Sequence, residues 1–524
     1  MRVPRVPLLA AVAVLALVAG CTSPATTTQS TAPPTPSTDT SWAARALPSD
    51  DKHDHRDWSQ HQNLSTPNFI ELGHDPLTVA ANGNQSAGGY FCGGSATTAS
   101  GRRLSIISSY AHDSTDNVAF AIVDSTDAAH PKHVGDYLLQ GTLVYDVDIT
   151  PDGLHAVIAA DVPLQYASGG DAQASTSTPT APALAVLQPG FRDCMGTVHA
   201  LPPVSVPTGP STMLISLADP TSPTLEDAFP SPVIGPHSVS TADLNGTTYV
   251  AASITNLAHH ASYYQFFQLE ALPSGTSKLV QLSVVDAGQY GVPTAVSNGH
   301  VDAEIEWHPI LKKPVVYLSD WDGGLIVLDF SIPAAPTLLG TWADSGPDGG
   351  AMHSTRAIAG VHNGHHYLLA GQEFTGHPSN RPTGWVYILD DTDPTNVKEV
   401  GRWTLPVDTQ QDWGGVELFS THYFREQNGT VFVAMYHGGV WAFTLDYTNA
   451  TAMKAPPTVG VFIPDKAPVN ARKATSGYDF EPFVLDVFPF ANDDLVVYDG
   501  LSGVYSLHYD AAHPMPAPPW VVKG

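Results

Sequence analysis

Residues 323–340 read GGLIVLDFSIPAAPTLLG, and their pattern decides the fold. A glycine pair leads into a short apolar run that ends at Asp329, a Ser/Pro turn follows, and Gly340 comes eleven residues after the aspartate. The same interval separates an aspartate from a glycine in residues 124–135 and 390–401. A strand-and-turn unit that recurs along a chain is typical of repeat architectures, in which each unit packs against its neighbours.

Seven segments fit the strand of this unit, and after the first interval they follow one another at roughly 50–60 residues. They are residues 118–124, 213–218, 264–269, 325–330, 385–390, 440–446 and 504–509. Turn-and-strand segments precede most of them, with Asn-Gly or Asp-Gly supplying the positive φ of a tight hairpin. A third strand lies further upstream, at residues 144–150, 237–243, 300–307, 353–359, 415–424 and 482–488.

Three hairpin-linked strands and an outer strand after the Ser/Pro turn make a four-stranded antiparallel blade. The sequence therefore predicts an all-β chain that forms a seven-bladed β-propeller over residues 58–512. The pattern is weak in the third and seventh repeats, which leaves six or eight blades as alternatives. We expect residues around 58–73 to close the ring against the last blade, residues 162–210 to be a surface insertion, and residues 513–524 to be a tail.

The strands LIVLD (325–329) and VYILD (386–390), with their Asp-x-Ser/Thr turns, resemble the LVIVD-repeat family of extracellular β-propellers. The resemblance covers most of residues 70–510 and is clearest in repeats four to six. It implies an extracytoplasmic propeller and carries no catalytic residues with it.

The first twenty residues have the features of an export signal. Arg2 and Arg5 precede an apolar run at residues 8–18 that is too short to span a bilayer comfortably. Residues 18–21, Val-Ala-Gly-Cys, resemble the lipobox of bacterial lipoproteins, which implies that residues 1–20 are cleaved and that Cys21 is lipidated. An ordinary secretory signal is the alternative. Both interpretations place the protein outside the cytoplasm, and the first anchors it to the extracytoplasmic face of the membrane in the cell envelope.

Residues 21–50 contain a Thr/Pro/Ser-rich stretch without apolar periodicity, which predicts a disordered tether. The whole chain carries 22 basic and 50 acidic side chains, a formal net charge of −28. Nucleic acids select the opposite charge, so this composition excludes a nucleic-acid partner and favours cations. We expect a monomer.

Two cysteines remain if Cys21 carries lipid. Cys92 and Cys194 form an even pair in an oxidising compartment, which predicts a disulfide between their loops. Two independent free thiols are the alternative.

Histidines at the start of the upstream strands are the candidate chemical groups, because the innermost strand of a propeller blade lines the central channel. Acidic residues share these strands, among them Asp146, Asp148, Asp302, Glu417 and Asp486. Imidazole and carboxylate groups that converge suit a divalent transition metal. The predicted metal-ligand set is His74, His237, His300, His353, His422, Glu304 and Glu306. Two alternatives stay open: hydrogen bonds that hold neighbouring blades together, and direct contacts with an organic ligand.

The function predicted from these patterns is binding of a protein or an extracellular ligand at the channel mouth. A metal-dependent, oxidoreductase-like enzyme that uses the channel histidines is the alternative, and a structural scaffold is a third class. No G-x-S-x-G elbow, P-loop or G-x-G-x-x-G segment occurs in the chain. Their absence weakens the enzyme hypothesis without removing it, because propeller enzymes assemble their sites from separate blades.

Overall fold

The computed structural model describes fifteen segments of the chain, and all structural statements refer to them. They are residues 64–78, 90–109, 118–139, 143–161, 189–193, 198–200, 211–231, 236–256, 261–290, 302–321, 323–344, 350–373, 384–405, 420–466 and 482–514. These segments are almost entirely β-structure. Within them no helix has the length and apolar character needed to cross a membrane.

The strands of the first four blades follow chain order. Blade 1 contains β2 (Tyr90–Thr97), β3 (Arg103–Ser109), β4 (Val118–Asp124) and β5 (Lys132–Leu139). Blade 2 contains β6 (Leu143–Ile149), β7 (His155–Asp161), β10 (Ser211–Ser216) and β11 (Thr224–Pro230). Blade 3 contains β12 (Pro236–Leu244), β13 (Thr247–Asn256), β14 (Ala261–Ala271) and β15 (Ser277–Asp286). Blade 4 contains β16 (Ala303–His308), β17 (Lys313–Asp320), β18 (Gly324–Asp329) and β19 (Thr337–Trp342).

The last three blades complete the ring. Blade 5 contains β20 (Met352–Ala357), β21 (Tyr367–Gln372), β22 (Val386–Asp390) and β23 (Lys398–Trp403). Blade 6 contains β24 (Phe424–Gln427), β25 (Thr430–Ala434), β26 (Val440–Thr444) and β27 (Thr458–Phe462). Blade 7 contains β28 (Val484–Pro489), β29 (Asp494–Asp499), β30 (Gly503–Tyr509) and β1 (Phe69–Asp75). Short helical turns occur at Ala287–Tyr290, Pro394–Asn396 and Ala450–Lys454 (α1).

These seven antiparallel sheets confirm the predicted seven-bladed β-propeller. Each repeated strand identified in the sequence is the third strand of its blade, and the segments upstream supply the first and second. The sixth repeat differs from the prediction for residues 415–424, because its inner strand β24 begins at Phe424 and residues 415–419 lie outside the described residues.

An N-terminal strand closes the ring. β1 pairs antiparallel with β30 and becomes the outermost strand of blade 7, with Phe69 opposite Tyr509 and Asp75 opposite Val504. Thr66, which precedes this strand, donates its backbone N–H to Val461 of blade 6 at 2.8 Å. The predicted closing segment is therefore present, and its strand lies at Phe69–Asp75.

Part of the insertion between the second and third strands of blade 2 pairs with the neighbouring blade 1. Two short strands, β8 (Pro189–Asp193) and β9 (Val198–Ala200), extend the outer edge of blade 1 beyond β5 and give that sheet six strands. The rest of residues 162–210 lies outside the described residues. Blade 1 thus departs from the predicted four strands because part of the insertion pairs with its exposed edge.

The hydrophobic core is divided among the seven interfaces between blades. One cluster joins Leu369 of blade 5 to Val431 of blade 6, and another joins Phe432 of blade 6 to Tyr505 of blade 7. Five further clusters join the remaining pairs of neighbouring blades. Apolar burial therefore holds the blades to one another, and an eighth small cluster, which includes Cys92, Tyr423 and Leu485, lies at the inner strands of blades 1, 6 and 7.

Candidate functional site

An axial cavity of about 230 Å³ is lined by the first strand of all seven blades. Each inner strand contributes at least one residue to the lining of this cavity. The lining includes one such residue from each blade, namely Ser95, Asp148, Ser240, Glu304, Arg356, Arg425 and Phe488. The cavity is therefore polar and charged.

Two of its carboxylates hold neighbouring blades together. Asp146 accepts a hydrogen bond from Val239 N–H at 3.0 Å, and Asp148 accepts one from Thr241 N–H at 2.7 Å. Burial raises the pKa of both carboxyl groups, although the hydrogen bonds from blade 3 oppose the shift. These contacts confirm the predicted alternative in which polar residues of the inner strands bond to the next blade.

Two arginines flank the Tyr423 ring in the cavity. Arg356 pairs with Asp302, and Arg425 Nη2 lies 3.0 Å from Asp486 Oδ2. Their guanidinium carbons lie 5.3 and 5.6 Å from the centre of the Tyr423 ring. Each cation therefore meets both a carboxylate and an aromatic face, which fixes its position in the channel.

Glu304 and Glu306 lie two residues apart on β16. Glu304 accepts a hydrogen bond from Ala357 N–H at 3.0 Å, which links blades 4 and 5. Burial raises the pKa of Glu304 most strongly, and the nearby charges of Glu306 and Asp302 add to the shift while Arg356 opposes it. Burial also raises the pKa of Glu306. Among the described residues, neither glutamate falls in a cluster with metal-ligand spacing.

Two predicted histidines meet beside the cavity. His353 lies at a register shift in β20, His422 lies just before β24, and their ring centres are 4.4 Å apart. Glu373, one residue beyond the end of β21, completes a buried cluster whose possible ligand atoms lie within 4.8 Å of one another. His353 Nε2 is 3.6 Å from Glu373 Oε2, and His422 Nε2 is 4.0 Å from Glu373 Oε1. We call these three residues the axial triad.

Hydrogen bonds fix two members of the axial triad. The Nδ1 atom of His422 lies 3.0 Å from the carbonyl oxygen of Leu485, so it carries the proton and donates. The Tyr436 hydroxyl donates to Glu373 Oε1. Burial lowers the pKa of His422 to about 3 and raises that of Glu373 to about 7. The His422 ring is therefore neutral at pH 7, with its Nε2 lone pair directed at the triad.

A second buried cluster, which we call the interblade triad, also combines two histidines with a carboxylate. It contains His308, His366 and Asp391, between blades 4 and 5. His308 Nδ1 accepts hydrogen bonds from the N–H groups of Ile310 and Leu311, so its proton is on Nε2, which donates to the Asp391 carbonyl at 3.0 Å. The two histidines thus present protons to Asp391 in place of lone pairs.

The other predicted ligands lie elsewhere. His74 is on β1, the outermost strand of blade 7, where its Nε2 is 2.8 Å from the Ser502 carbonyl oxygen and its ring packs on Tyr505. Its predicted place in the channel ring is wrong, because its segment closes the ring at the outer edge. His237 is on the inner strand β12, where its ring packs against Tyr145. His300 lies outside the described residues.

The structure describes one of the three cysteines for which the sequence makes predictions. Cys92 is a buried free cysteine on the inner strand β2 and not on a loop, and burial raises the pKa of its thiol. Its predicted disulfide partner, Cys194, and the predicted lipidation site, Cys21, lie outside the described residues. The disulfide and the lipid attachment therefore stay predictions.

Three residues at or beside the channel were not predicted from the sequence. Arg356 and Arg425 each follow a channel histidine by three residues, in His-Ser-Thr-Arg and His-Tyr-Phe-Arg, and this shared spacing on successive inner strands could have revealed them. Glu373 gave no comparable signal, because it follows a second strand and approaches the axis beyond the strand's end.

No protein-family model matches the chain, and no curated protein matches it. The resemblance to LVIVD-repeat propellers therefore stays a prediction. The class that the fold and the site define is a seven-bladed β-propeller with a charged axial cavity and a buried His/Glu/His cluster beside it.

Proposed function

We propose that this protein binds a small, positively charged organic ligand in its axial cavity. The observation that carries the proposal is the cavity itself, which draws charged side chains from separate blades onto one axis. Its volume of about 230 Å³ suits a small molecule. Its charged walls disfavour an apolar one, because their desolvation would go uncompensated.

The preferred charge of the ligand follows from the numbers of acidic and basic side chains that line the cavity. The carboxylates Asp146, Asp148, Glu304 and Asp486 face two guanidinium groups, those of Arg356 and Arg425. Both arginines already pair with carboxylates, whereas Asp146 and Asp148 accept hydrogen bonds from neutral groups. The net charge of −28 adds a long-range attraction for cations. Burial raises the pKa of these carboxyl groups, and a bound ammonium group would favour their ionised form, so it is preferred to a carboxylate.

The sequence supports an envelope location for this binding activity. The lipobox-like residues 18–21 and the Thr/Pro/Ser-rich stretch that follows support a lipid anchor on Cys21 and a tether. The propeller would then sample ligands on the extracytoplasmic side of the membrane.

Calorimetric titration with putrescine, a small diamine, tests the proposal, and succinate serves as the matched dianion. We expect saturable binding of putrescine, weakened by added salt, and no binding of succinate. Asp148→Asn should weaken putrescine binding by about tenfold, because it removes a charge from the cavity wall at nearly constant size.

Glu270→Gln is the control variant, because Glu270 lies on β14 beside Lys278, with 52% of its side chain exposed. It should bind putrescine as the wild type does. Binding of succinate in place of putrescine would show that the arginines select the ligand and would overturn the proposed charge. Equal affinity in Asp148→Asn and the wild type would place the site outside the cavity.

A further inference from the structure

We infer that the axial triad, His353, Glu373 and His422, is a binding site for a divalent first-row transition metal. This inference goes beyond the proposed ligand site, because its residues come from other positions on blades 5 and 6. Tyr423 lies between the two, since it lines the cavity and its ring centre is 5.3 Å from that of His353 and 4.7 Å from that of His422.

The separations within the triad suit a shared cation better than direct hydrogen bonds. The His353–Glu373 separation of 3.6 Å and the His422–Glu373 separation of 4.0 Å both exceed hydrogen-bond range. Two donor atoms that bind one tetrahedral zinc at 2.0–2.2 Å lie about 3.3–3.6 Å apart. The first separation falls in this interval, and a side-chain adjustment of about 0.4 Å brings the second into it.

The surrounding hydrogen bonds prepare the ligands. His422 donates its Nδ1 proton to the Leu485 carbonyl, so its lone pair is on Nε2, the nitrogen on the Glu373 side of the ring. Metal-binding histidines commonly make such a bond to a backbone carbonyl, since it fixes the tautomer and the ring orientation. Tyr436 donates to Glu373 in the same supporting way. Its backbone φ of 49°, unusual for a residue other than glycine, shows that this tyrosine is held in a specific conformation.

The interblade triad supplies an internal comparison. It also holds two buried histidines and a carboxylate, yet Asp391 accepts hydrogen bonds from His366 Nδ1 at 2.7 Å and from the Tyr317 hydroxyl at 2.6 Å. A metal there would have to displace both bonds and the Nε2 proton of His308. In the axial triad the histidine Nε2 atoms lie 3.6 and 4.0 Å from the Glu373 oxygens, beyond hydrogen-bond range.

The donor set indicates the class of metal. Two imidazoles and one carboxylate suit zinc, cobalt, iron or copper, whereas magnesium and calcium prefer oxygen ligands throughout. Three protein ligands leave a coordination position for water or another small molecule, as in catalytic zinc sites.

Titration of the purified, untagged protein with Co²⁺ after removal of metal with EDTA tests the inference. We expect one Co²⁺ per chain, with visible absorption bands, and tighter competition by Zn²⁺. Glu373→Gln and His353→Gln should each weaken Co²⁺ binding by at least about tenfold. The matched control is His366→Gln in the interblade triad, and the exposed His365→Gln is a second control. Both should bind Co²⁺ as the wild type does.

Electron paramagnetic resonance of Cu²⁺ bound to the wild type keeps the test independent of variant folding. Hyperfine structure from two imidazole nitrogens is expected. Failure to retain stoichiometric Co²⁺, Zn²⁺ or Cu²⁺, a nitrogen count other than two, or unchanged affinity in folded Glu373→Gln would each overturn the metal site. Putrescine binding by the same variants reports separately on the cavity, so failure of one proposal leaves the other measurable.

Discussion

At the scale of single residues, the positions of protons distinguish two clusters that each combine two histidines with a carboxylate. Asp391 of the interblade triad accepts a hydrogen bond from His308 at its carbonyl oxygen and from His366 and Tyr317 at its carboxylate, so the triad stabilises the interface of blades 4 and 5. Burial raises the pKa of Asp391, but these hydrogen bonds outweigh it and lower the pKa to about 2. Two histidines and a carboxylate therefore form an interblade contact in one place and a candidate metal site in another.

The pH dependence of stability should report on Asp391. Since its folded pKa of about 2 lies below the usual value of about 3.9, the carboxylate stabilises the fold above pH 4. This contribution is about 2–3 kcal/mol at pH 7, falls to about half by pH 3, and is lost as pH falls through 2. Asp391→Asn should lower the free energy of unfolding by about this amount at pH 7, with a difference from wild type that shrinks toward pH 3.

Urea unfolding at pH 7, 4 and 3 measures this difference. Asp393→Asn is the matched control, because Asp393 is exposed and its side chain accepts a hydrogen bond from Thr395 N–H, which an asparagine can also accept. The control should stay within about 0.5 kcal/mol of wild type. A difference for Asp391→Asn that does not vary between pH 7 and pH 3 would show that its charge does not stabilise the fold.

At the scale of the strand, the repeated eleven-residue interval from aspartate to glycine, which we call the frame, has a structural cause. Its aspartate caps the turn, since Asp329 Oδ1 accepts a hydrogen bond from Ser331 N–H at 2.9 Å. Its glycine lies opposite Val327 at a register shift between β18 and β19. A Cβ atom on Gly340 would collide with the Pro394 carbonyl oxygen, where the turn of blade 5 packs against blade 4. A Cβ atom on Gly401 would likewise collide with the Met453 carbonyl oxygen, so in blades 4 and 5 this glycine makes room for the turn of the next blade.

Gly340→Ala should therefore destabilise the propeller by about 1–3 kcal/mol, the usual range for overpacking a close contact. Thermal unfolding measures the effect. Leu338→Ala on the same strand, where the leucine is 43% exposed, is the control and should cost less than about 1 kcal/mol. Equal melting temperatures for Gly340→Ala and wild type would mean that blade 5 can move away at no cost.

Regular elements were predictable from the sequence, and irregular ones were not. The Asn-Gly turns predicted at 363–364 and 428–429 have positive φ at both residues, as a tight hairpin requires. Five of the seven inner strands instead begin at a register shift, such as the one between Met352 and Ser354 beside His353, whose ring centre lies 4.4 Å from that of His422. A bulge changes which side a residue faces, so alternation along the sequence could not place the histidines.

At the scale of the whole molecule, repetition determined the fold while the site depends on contacts between repeats. Each blade interface buries its own apolar cluster, so a periodic sequence is enough to specify the ring. The axial triad combines His353 and Glu373 of blade 5 with His422 before blade 6, and none of the three lies in the repeated frame. Such a combination becomes visible once the curvature of the ring is known.

Closure of the ring depends on a strand from the other end of the chain. β1 covers the edge of β30, and Phe69 is buried with its ring 5.1 Å from that of Tyr509 and 6.2 Å from that of Phe432. A chain that begins at Pro76 loses these contacts and exposes an unpaired strand edge. We expect it to lose more than about 4 kcal/mol of stability, because deletion of one buried phenylalanine side chain alone costs about 3–5 kcal/mol.

Thermal unfolding of three chains tests this closure: the mature chain, one that begins at Leu64, and one that begins at Pro76. The chain from Leu64 keeps β1 and Thr66 and should melt with the mature chain, since residues 21–50 are predicted to be a tether. Addition of a peptide of residues 64–75 should raise the melting temperature of the chain from Pro76, because it can pair with β30, whereas a scrambled peptide should have no effect. Equal melting of all three chains would show that the ring holds by contacts between blades without its closing strand.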